Sequence, residues 1–183
     1  PMQEQQAAQL SSHYREKLTP GPGMWLIALL AGVASFFVGA PINISAGIIA
    51  AVVVTALVAF ILFSSSPIIE ITPQVVRVGR AQIEREYVGI AEAFRGEEAR
   101  IATGPALDGR AFMCFRGWIE PKVRIEIIDP ADPTPYWIAS SRHPEQIAEI
   151  INEGKEEQLE ILRQAREELL AQQNASAPKN RQN

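Results

Sequence analysis

The residues with the most distinctive chemistry lie in one proline-rich stretch. Residues 129–137 read Asp-Pro-Ala-Asp-Pro-Thr-Pro-Tyr-Trp. Each proline fixes its own φ and restricts the residue before it, so this stretch predicts a rigid loop. The carboxylates of Asp129 and Asp132 are candidates for binding a cation or an arginine, with Tyr136 and Trp137 as contact residues beside them. The alternative is that both carboxylates hydrogen-bond the local backbone, as aspartates in turns commonly do.

Basic residues of the same region are candidates for contacts with anionic lipid headgroups. A basic residue near the cytoplasmic leaflet contributes about 1 kcal/mol to membrane binding. The formal net charge of the chain is −4, which allows a local basic patch. It argues against a nucleic-acid partner, because such a partner requires a basic stripe. The candidates are Arg110, Arg116, Lys122, Arg124 and Arg142.

Motifs of catalysis and of metal binding are missing from the sequence. It contains no Gly-rich phosphate loop, no metalloprotease helix motif and no nucleophile elbow. His13 and His143 are far apart and lack a second ligand at helical spacing, so a zinc or iron site is not expected. Cys114 lies in an aromatic-rich run and is predicted to be buried and inert. We therefore predict no enzyme, no cofactor, and no catalytic or metal-binding residue.

A long uncharged segment dominates the first third of the chain. Residues 24–63 contain no Asp, Glu, Lys, Arg or His. Two apolar runs, 24–40 and 46–63, flank a turn at 41–45 that contains Pro and Asn. Each run is close to the minimum length that crosses a hydrocarbon core of roughly 30 Å, and neither has a polar face to show to water. The segment predicts a two-helix transmembrane hairpin, with Trp25 as an anchor at the membrane interface.

Small residues recur in both runs and predict close packing of the helices. Such faces let two helix backbones approach each other. The hairpin itself can use them, and so can another membrane protein; the sequence leaves both open. The small residues are Ala28, Gly32, Ser35 and Gly39 in the first run, and Gly47 and Ala51 in the second.

Basic residues flank the hairpin on its outer sides only. The connecting turn has none, Arg15 and Lys17 precede the first run, and Arg77, Arg80 and Arg85 follow the second. The positive-inside rule then places both termini in the cytoplasm. The sequence predicts a multi-pass protein of the cytoplasmic membrane.

After the polar linker at 64–67 the pattern becomes strand-like. A helix follows from Pro144, where proline is tolerated in the first turn. Strands followed by one helix predict a small pleckstrin-homology-like barrel of the α+β class, capped by that helix. An open β-sheet packed on the helix is the competing fold. The predicted strands are 68–72, 75–79, 82–94, 97–102, 110–119, 123–128 and 136–140, with a helix as the alternative for 82–94.

The predicted organisation has five parts. The polar residues 3–9 read as a frayed amphipathic helix, and the apolar stripe of 155–172 either pairs with another helix or is a solvated extension. The parts are an N-terminal segment at 1–23, the hairpin at 24–63, the β-rich domain with its capping helix at 67–153, a C-terminal helix at 154–172 and a disordered tail at 173–183.

Several stretches together carry a family resemblance. They are residues 78–83, 109–112 with 116–119, 129–137 with 140–142, and 14–18 before the first run. Over residues 14–152 the chain resembles a family of actinobacterial two-span membrane proteins of unknown function, and 129–137 is the specific part. The resemblance implies the fold and the source. It implies no activity, so no catalytic or binding residue is carried over.

These features favour a non-enzymatic accessory or scaffold protein that associates with a larger membrane protein assembly. Its partners would be the lipid bilayer and a membrane protein or a second copy. The alternative is a lipid-binding module of pleckstrin-homology-like type on the cytoplasmic leaflet. An enzyme acting at the 129–137 loop ranks last.

Overall fold

The computed structural model describes residues 14–176 of the chain, and these form an α+β fold. Two long apolar helices interrupt the β structure near its beginning. The helices are α1 (Pro22–Gly39), α2 (Ile44–Ser64), α3 (Gly96–Thr103), α4 (Pro144–Asn152) and α5 (Glu156–Ser176). The strands are β1 (Tyr14–Lys17), β2 (Ile68–Ile71), β3 (Val75–Val78), β4 (Ala81–Glu84), β5 (Val88–Phe94), β6 (Phe112–Cys114), β7 (Lys122–Ile127) and β8 (Tyr136–Ser140).

The apolar segment folds into two helices packed side by side. Pro22 opens α1, and the Asn43 side chain caps α2 by accepting a hydrogen bond from the Ser45 N–H at 2.9 Å. Both helices are long and apolar enough to cross a membrane. Only 11% of the apolar window of each is buried, whereas a helix in the core of a soluble protein is mostly buried.

The first sheet joins the two sides of the hairpin. Its strand order is β1-β2-β3-β4, and all neighbours are antiparallel. β1 precedes α1, β2 follows α2, and the pairing runs from Tyr14 opposite Ile71 to Lys17 opposite Ile68. The sequence analysis did not predict β1, because Tyr-Arg-Glu-Lys shows no apolar alternation. In the structure the alternation exists, with Tyr14 and Glu16 pointing inward.

The second sheet shares one core with the first. Its order is β5-β7-β8-β6, with β6 parallel to β8. Ile69 and Val76 of the first sheet and Val123 and Ile125 of the second are almost fully buried in the same cluster. α4 completes this cluster with its apolar face, where Ile147 is fully buried.

The α+β class is confirmed, but the closed barrel is wrong. In the part of the chain that the structure describes, the strands form two separate four-stranded sheets that do not close into one barrel. The predicted strand at 82–94 is two strands, because the single 3₁₀ turn Arg85–Tyr87 divides it between the sheets. The predicted strand at 97–102 is helix α3, since Glu97 and Glu98 favour its first turn and Arg100 its last.

The C-terminal helix is longer than predicted. α5 continues to Ser176, beyond the expected end at Gln172. The expected tail therefore begins inside this helix, and its remainder at 177–183 lies outside the described residues. The helix expected at residues 3–9 also lies outside them.

The outer edge of β5 is covered by the turn between α4 and α5. The Asn152 side chain accepts a hydrogen bond from the Ala91 N–H at 2.8 Å and donates one to the Ala91 carbonyl at 2.7 Å. The Lys155 ammonium donates to the carbonyls of Val88 and Gly89. These side chains occupy backbone groups with which another strand would otherwise pair.

Replacing Asn152 with alanine is expected to destabilise the domain by about 1.5 kcal/mol, because both polar backbone groups of buried Ala91 lose their partner. Chemical unfolding of the full chain in detergent measures this. Glu153→Ala, at the exposed neighbour, is the control. An Asn152→Ala variant as stable as its control would contradict the role of this side chain.

Candidate functional site at the hairpin end of the domain

The hairpin and the domain meet at a junction with many direct contacts. We call the side of the domain that carries residues 18–21 and 64–67 the hairpin end, and the opposite side the far end. Leu18 is fully buried, and its N–H donates to the Pro67 carbonyl at 2.9 Å. The Trp118 indole N–H donates to the Leu18 carbonyl at 3.3 Å. The segments entering and leaving the hairpin are thus fastened to each other and to the second sheet.

A buried carboxylate links β1 to the end of β8. Glu16 is only 9% exposed. One of its oxygens accepts hydrogen bonds from the Tyr14 hydroxyl at 2.9 Å and the Ser141 hydroxyl at 2.6 Å, and the other accepts the Arg142 N–H at 2.8 Å. The Arg142 guanidinium donates to the Thr19 carbonyl, just before α1. Glu16 therefore holds the hairpin entry against the second sheet.

The Tyr14 hydroxyl gives this network a pH dependence. Burial raises the pKa of Tyr14 above its ordinary value of 10.0, and the hydrogen bond to Glu16 raises it further. Because the folded pKa exceeds the unfolded one, the contribution of this hydroxyl is complete below pH 10 and is lost as the pH rises above it.

We expect Tyr14→Phe to lower the free energy of unfolding at neutral pH, and the gap to wild type to shrink as the pH rises from about 10 to about 12. Unfolding of both proteins in detergent at several pH values measures the gap. A gap that stays constant across this range would show that the hydroxyl does not titrate with folding.

A basic pocket lies beside the end of α2. It has a volume of about 370 Å³. It is lined by the chain leaving the second apolar helix and by three arginines. The lining residues are Ser64, Ser65, Ser66, Pro67, Ile68, Arg77, Gly79, Arg80 and Arg116. Arg116 is anchored there because its Nε donates to the Ser65 carbonyl at 2.8 Å.

The five predicted headgroup residues do not form one face. Arg116 and Arg142 lie at the hairpin end, each bonded to a carbonyl next to an apolar helix. Lys122 lies at that end too, opposite Ser140, but its ammonium donates to the carbonyls of Ile119 and Glu120, and burial lowers its pKa.

The other two headgroup candidates are ion-paired elsewhere. Arg110 precedes β6 and pairs with Asp108 at 2.9 Å. This pairing lowers the pKa of the Asp108 carboxyl. The backbone N–H of Asp108 donates to the Tyr136 hydroxyl at the far end. Arg124 pairs with Glu92 at 3.1 Å, and Glu92 also binds Arg166 of α5 at 2.8 Å. Arg124 is thus bound to a carboxylate that also holds a residue of α5.

The 129–137 loop lies at the far end. β7 leads away from the hairpin end and β8 returns to it, so the connection between them is on the opposite side. Asp129 accepts the Ala131 N–H at 2.9 Å, and Asp132 accepts the Thr134 N–H at 2.8 Å. The latter bond lowers the pKa of Asp132. Both carboxylates make the local backbone contacts that were the alternative to ligand binding.

The two aromatic residues of the loop have different surroundings. Trp137 is 5% exposed and packs edge-on against Phe112, with ring centroids 5.8 Å apart. The Tyr136 hydroxyl accepts the Asp108 N–H at 2.7 Å. Trp137 is therefore a core residue, and Tyr136 orients the chain before β6.

The remaining reactive side chains are isolated from one another. Cys114 is buried, and burial raises the pKa of its thiol. His143 is exposed at the start of α4, and His13 lies outside the described residues. Within residues 14–176, no group of three or more His, Cys, Asp or Glu residues is arranged to hold a metal ion.

Comparison with known families gives one match. The family described as "Protein of unknown function (DUF3093)" matches residues 13–151. The chain belongs to this family. The match covers β1, the hairpin, both sheets and nearly all of α4, so the hairpin and the β domain belong to one DUF3093 unit.

No curated protein and no solved structure matches this DUF3093 chain. The resemblance inferred from the sequence is thus confirmed in one respect: the chain belongs to a family of unknown function. The actinobacterial source and the two-span character remain predictions.

Sequence reasoning missed the residues that matter most at the hairpin end. Glu16, Tyr14 and Ser141 were not singled out for the contacts they make. Tyr14–Lys17 had been noted as part of the resemblance, and strand pairing gives that segment its role. The available signal was a short charged segment directly before an apolar hairpin, which sequence alone does not distinguish from a solvated flank.

Proposed function

We propose that this DUF3093 protein crosses the cytoplasmic membrane twice, with the β domain and both termini in the cytoplasm. The support for the spans is the length and exposure of α1 and α2, which would leave two apolar helices in water if no lipid covered them. Basic residues at the hairpin end and none in the 40–43 turn support the orientation.

Within the membrane it acts as a non-enzymatic accessory or scaffold protein of a larger assembly. One observation carries this proposal: the domain is fixed to the hairpin through the β1–β2 ladder and the Glu16 network, instead of hanging on a flexible tether. A rigid coupling of this kind lets a partner in the membrane set the position of the domain beneath it.

Affinity purification of the tagged full chain from native membranes, in mild detergent, tests the scaffold proposal. Mass spectrometry of the purified material should identify a membrane protein in stoichiometric amount, or a second copy of the chain. Recovery of the protein alone as a monomer would count against a stable assembly.

The second candidate is a lipid-binding module of pleckstrin-homology-like type. The observation in its favour is that Arg116 and Arg142 lie at the hairpin end, where lipid headgroups would be. Flotation of the purified chain with liposomes that contain or lack anionic lipid separates the two candidates. A preference for the anionic liposomes would favour the lipid-binding module, because a scaffold held by its two apolar helices alone should associate equally with both.

A further inference from the structure

We propose that the pocket at the end of α2 binds the phosphate group of an anionic phospholipid from the surrounding leaflet. The proposal rests on the proposed crossing of the membrane by α1 and α2. From the sequence alone, the candidate headgroup residues defined neither a lipid class nor a single site. The arginines concerned are Arg77, Arg80 and Arg116.

The pocket lies at the end of the apolar surface, where lipid phosphates are expected. Ser64 ends α2 and lines the pocket, and the residue before it, Phe63, is 56% exposed and apolar. The Lys17 ammonium lies 3.6 Å from the centre of the Phe63 ring. The apolar surface therefore stops and positive charge begins within one residue. In a bilayer this is the boundary between acyl chains and headgroups.

The charge of the pocket is positive. Its lining includes three guanidinium groups and no carboxylate. Within the part of the chain that the structure describes, the guanidinium groups of Arg77 and Arg80 make no hydrogen bond or ion pair. Glu70 lies opposite Arg77 in the β2–β3 ladder, so its carboxylate offsets the charge of Arg77 more than that of Arg80. Arg80 is exposed in the two-residue turn between β3 and β4.

The arginines, and not the serines, supply the hydrogen-bond donors. The hydroxyls of Ser64, Ser65 and Ser66 already donate to carbonyls of the last turns of α2. Guanidinium groups bind phosphate through paired N–H donors and hold their charge at any physiological pH. Arg116 is held in place by the carbonyls of Ser65 and Phe115, so it is oriented before a ligand arrives.

The turn that carries Arg80 is also fixed by the fold. Gly79 has φ +59°, a conformation that L side chains rarely adopt, and a Cβ there would lie 3.3 Å from Cys114 Sγ. This turn therefore packs on β6, and Arg80 of the β3–β4 turn reaches the same pocket as Arg116 of the loop after β6.

Native mass spectrometry of the full chain in mild detergent tests the site, with phosphatidylglycerol and phosphatidylcholine as probes. The test variant is Arg77→Gln/Arg80→Gln, because neither guanidinium group is bonded to another described residue. The control is Arg110→Gln/Arg163→Gln, which removes the same charge from exposed arginines paired with neighbours. We expect a one-to-one phosphatidylglycerol adduct on wild type and control, and about a fivefold loss of affinity per arginine removed in the test variant.

Equal phosphatidylglycerol binding by the test variant and the control would overturn the proposal. So would displacement of the lipid by inorganic phosphate at about equal concentration, since the site would then recognise free phosphate. Alkaline extraction of native membranes is run in parallel. Release of the chain by alkali would sink the membrane-spanning proposal itself, whereas a retained chain with unselective lipid binding would sink only the pocket.

Discussion

Replacing Glu16 with alanine is expected to lower the free energy of unfolding of the β domain by about 3 kcal/mol, because three hydrogen bonds to a buried carboxylate are lost together. The Ser141 hydroxyl and the Arg142 N–H are left without their acceptor in a water-poor site. Denaturant unfolding of the full chain in detergent, followed by tryptophan fluorescence, to which buried Trp137 contributes, measures the loss.

Arg15→Ala is the matched control for this prediction. Arg15 is the neighbour of Glu16 in β1 but points outward. Its replacement should lower the free energy of unfolding by less than about 0.5 kcal/mol. The double variant Glu16→Ala/Ser141→Ala should lose less free energy of unfolding than the sum of the losses of the two single variants, because both substitutions remove the same hydrogen bond. Equal stabilities of Glu16→Ala and Arg15→Ala would contradict the role assigned to the buried carboxylate.

The second large effect is expected at the closed end of the apolar hairpin. A Cβ on Gly47 would lie 3.0 Å from the Ala40 nitrogen and from the Phe36 carbonyl oxygen. The obstacles are backbone atoms, which cannot move aside as a side chain does. Gly47→Leu should therefore push α1 and α2 apart at a cost of about 3 kcal/mol. Thermal unfolding in detergent, followed by circular dichroism of the helices, measures it.

Ala34→Leu is the control for overpacking. Ala34 is exposed on α1 and faces away from the partner helix, so a larger apolar side chain there should leave the melting temperature nearly unchanged. If the melting temperature of Gly47→Leu also equals that of the wild type, then the close approach of the two helices does not stabilise the hairpin.

Composition alone was enough to predict the apolar hairpin. Forty consecutive positions without a charge leave no polar face, and the turn between the runs has Pro41 and Asn43. The helices occur at Pro22–Gly39 and Ile44–Ser64, close to the predicted runs. Local patterns also sufficed for β7, since Val123, Ile125 and Ile127 alternate strictly with polar residues. β8 occupies the predicted range 136–140 as well.

The division of strands between sheets was beyond local patterns. A single 3₁₀ turn at Arg85–Tyr87 sends β4 and β5 into different sheets, and its residues read like strand residues. β1 was missed because half of its inward face is Glu16, a carboxylate whose burial depends on Ser141 and Arg142. Those partners are more than a hundred residues away in sequence, so local reasoning has no access to them.

The same distance explains why the site was only partly predictable. Arg116 and Arg142 were chosen for their charge, as were Arg110, Lys122 and Arg124. Their positions depend on the pairing of β6, β7 and β8, which brings only some of them to the hairpin end. Arg80 was noted for orientation alone, and only the β3–β4 turn places it beside the end of α2.

Cysteine labelling tests the central claim, the membrane crossing with a cytoplasmic domain, most directly. Cys114 is buried and should react slowly, so new cysteines can be placed at Ile42, 84% exposed in the hairpin turn, and at exposed Gln74 at the far end of the domain. In right-side-out vesicles, an impermeant maleimide should label Ile42→Cys at once and Gln74→Cys only after the membrane is opened. Immediate labelling of Gln74→Cys, or protection of Ile42→Cys until the membrane is opened, would contradict the account.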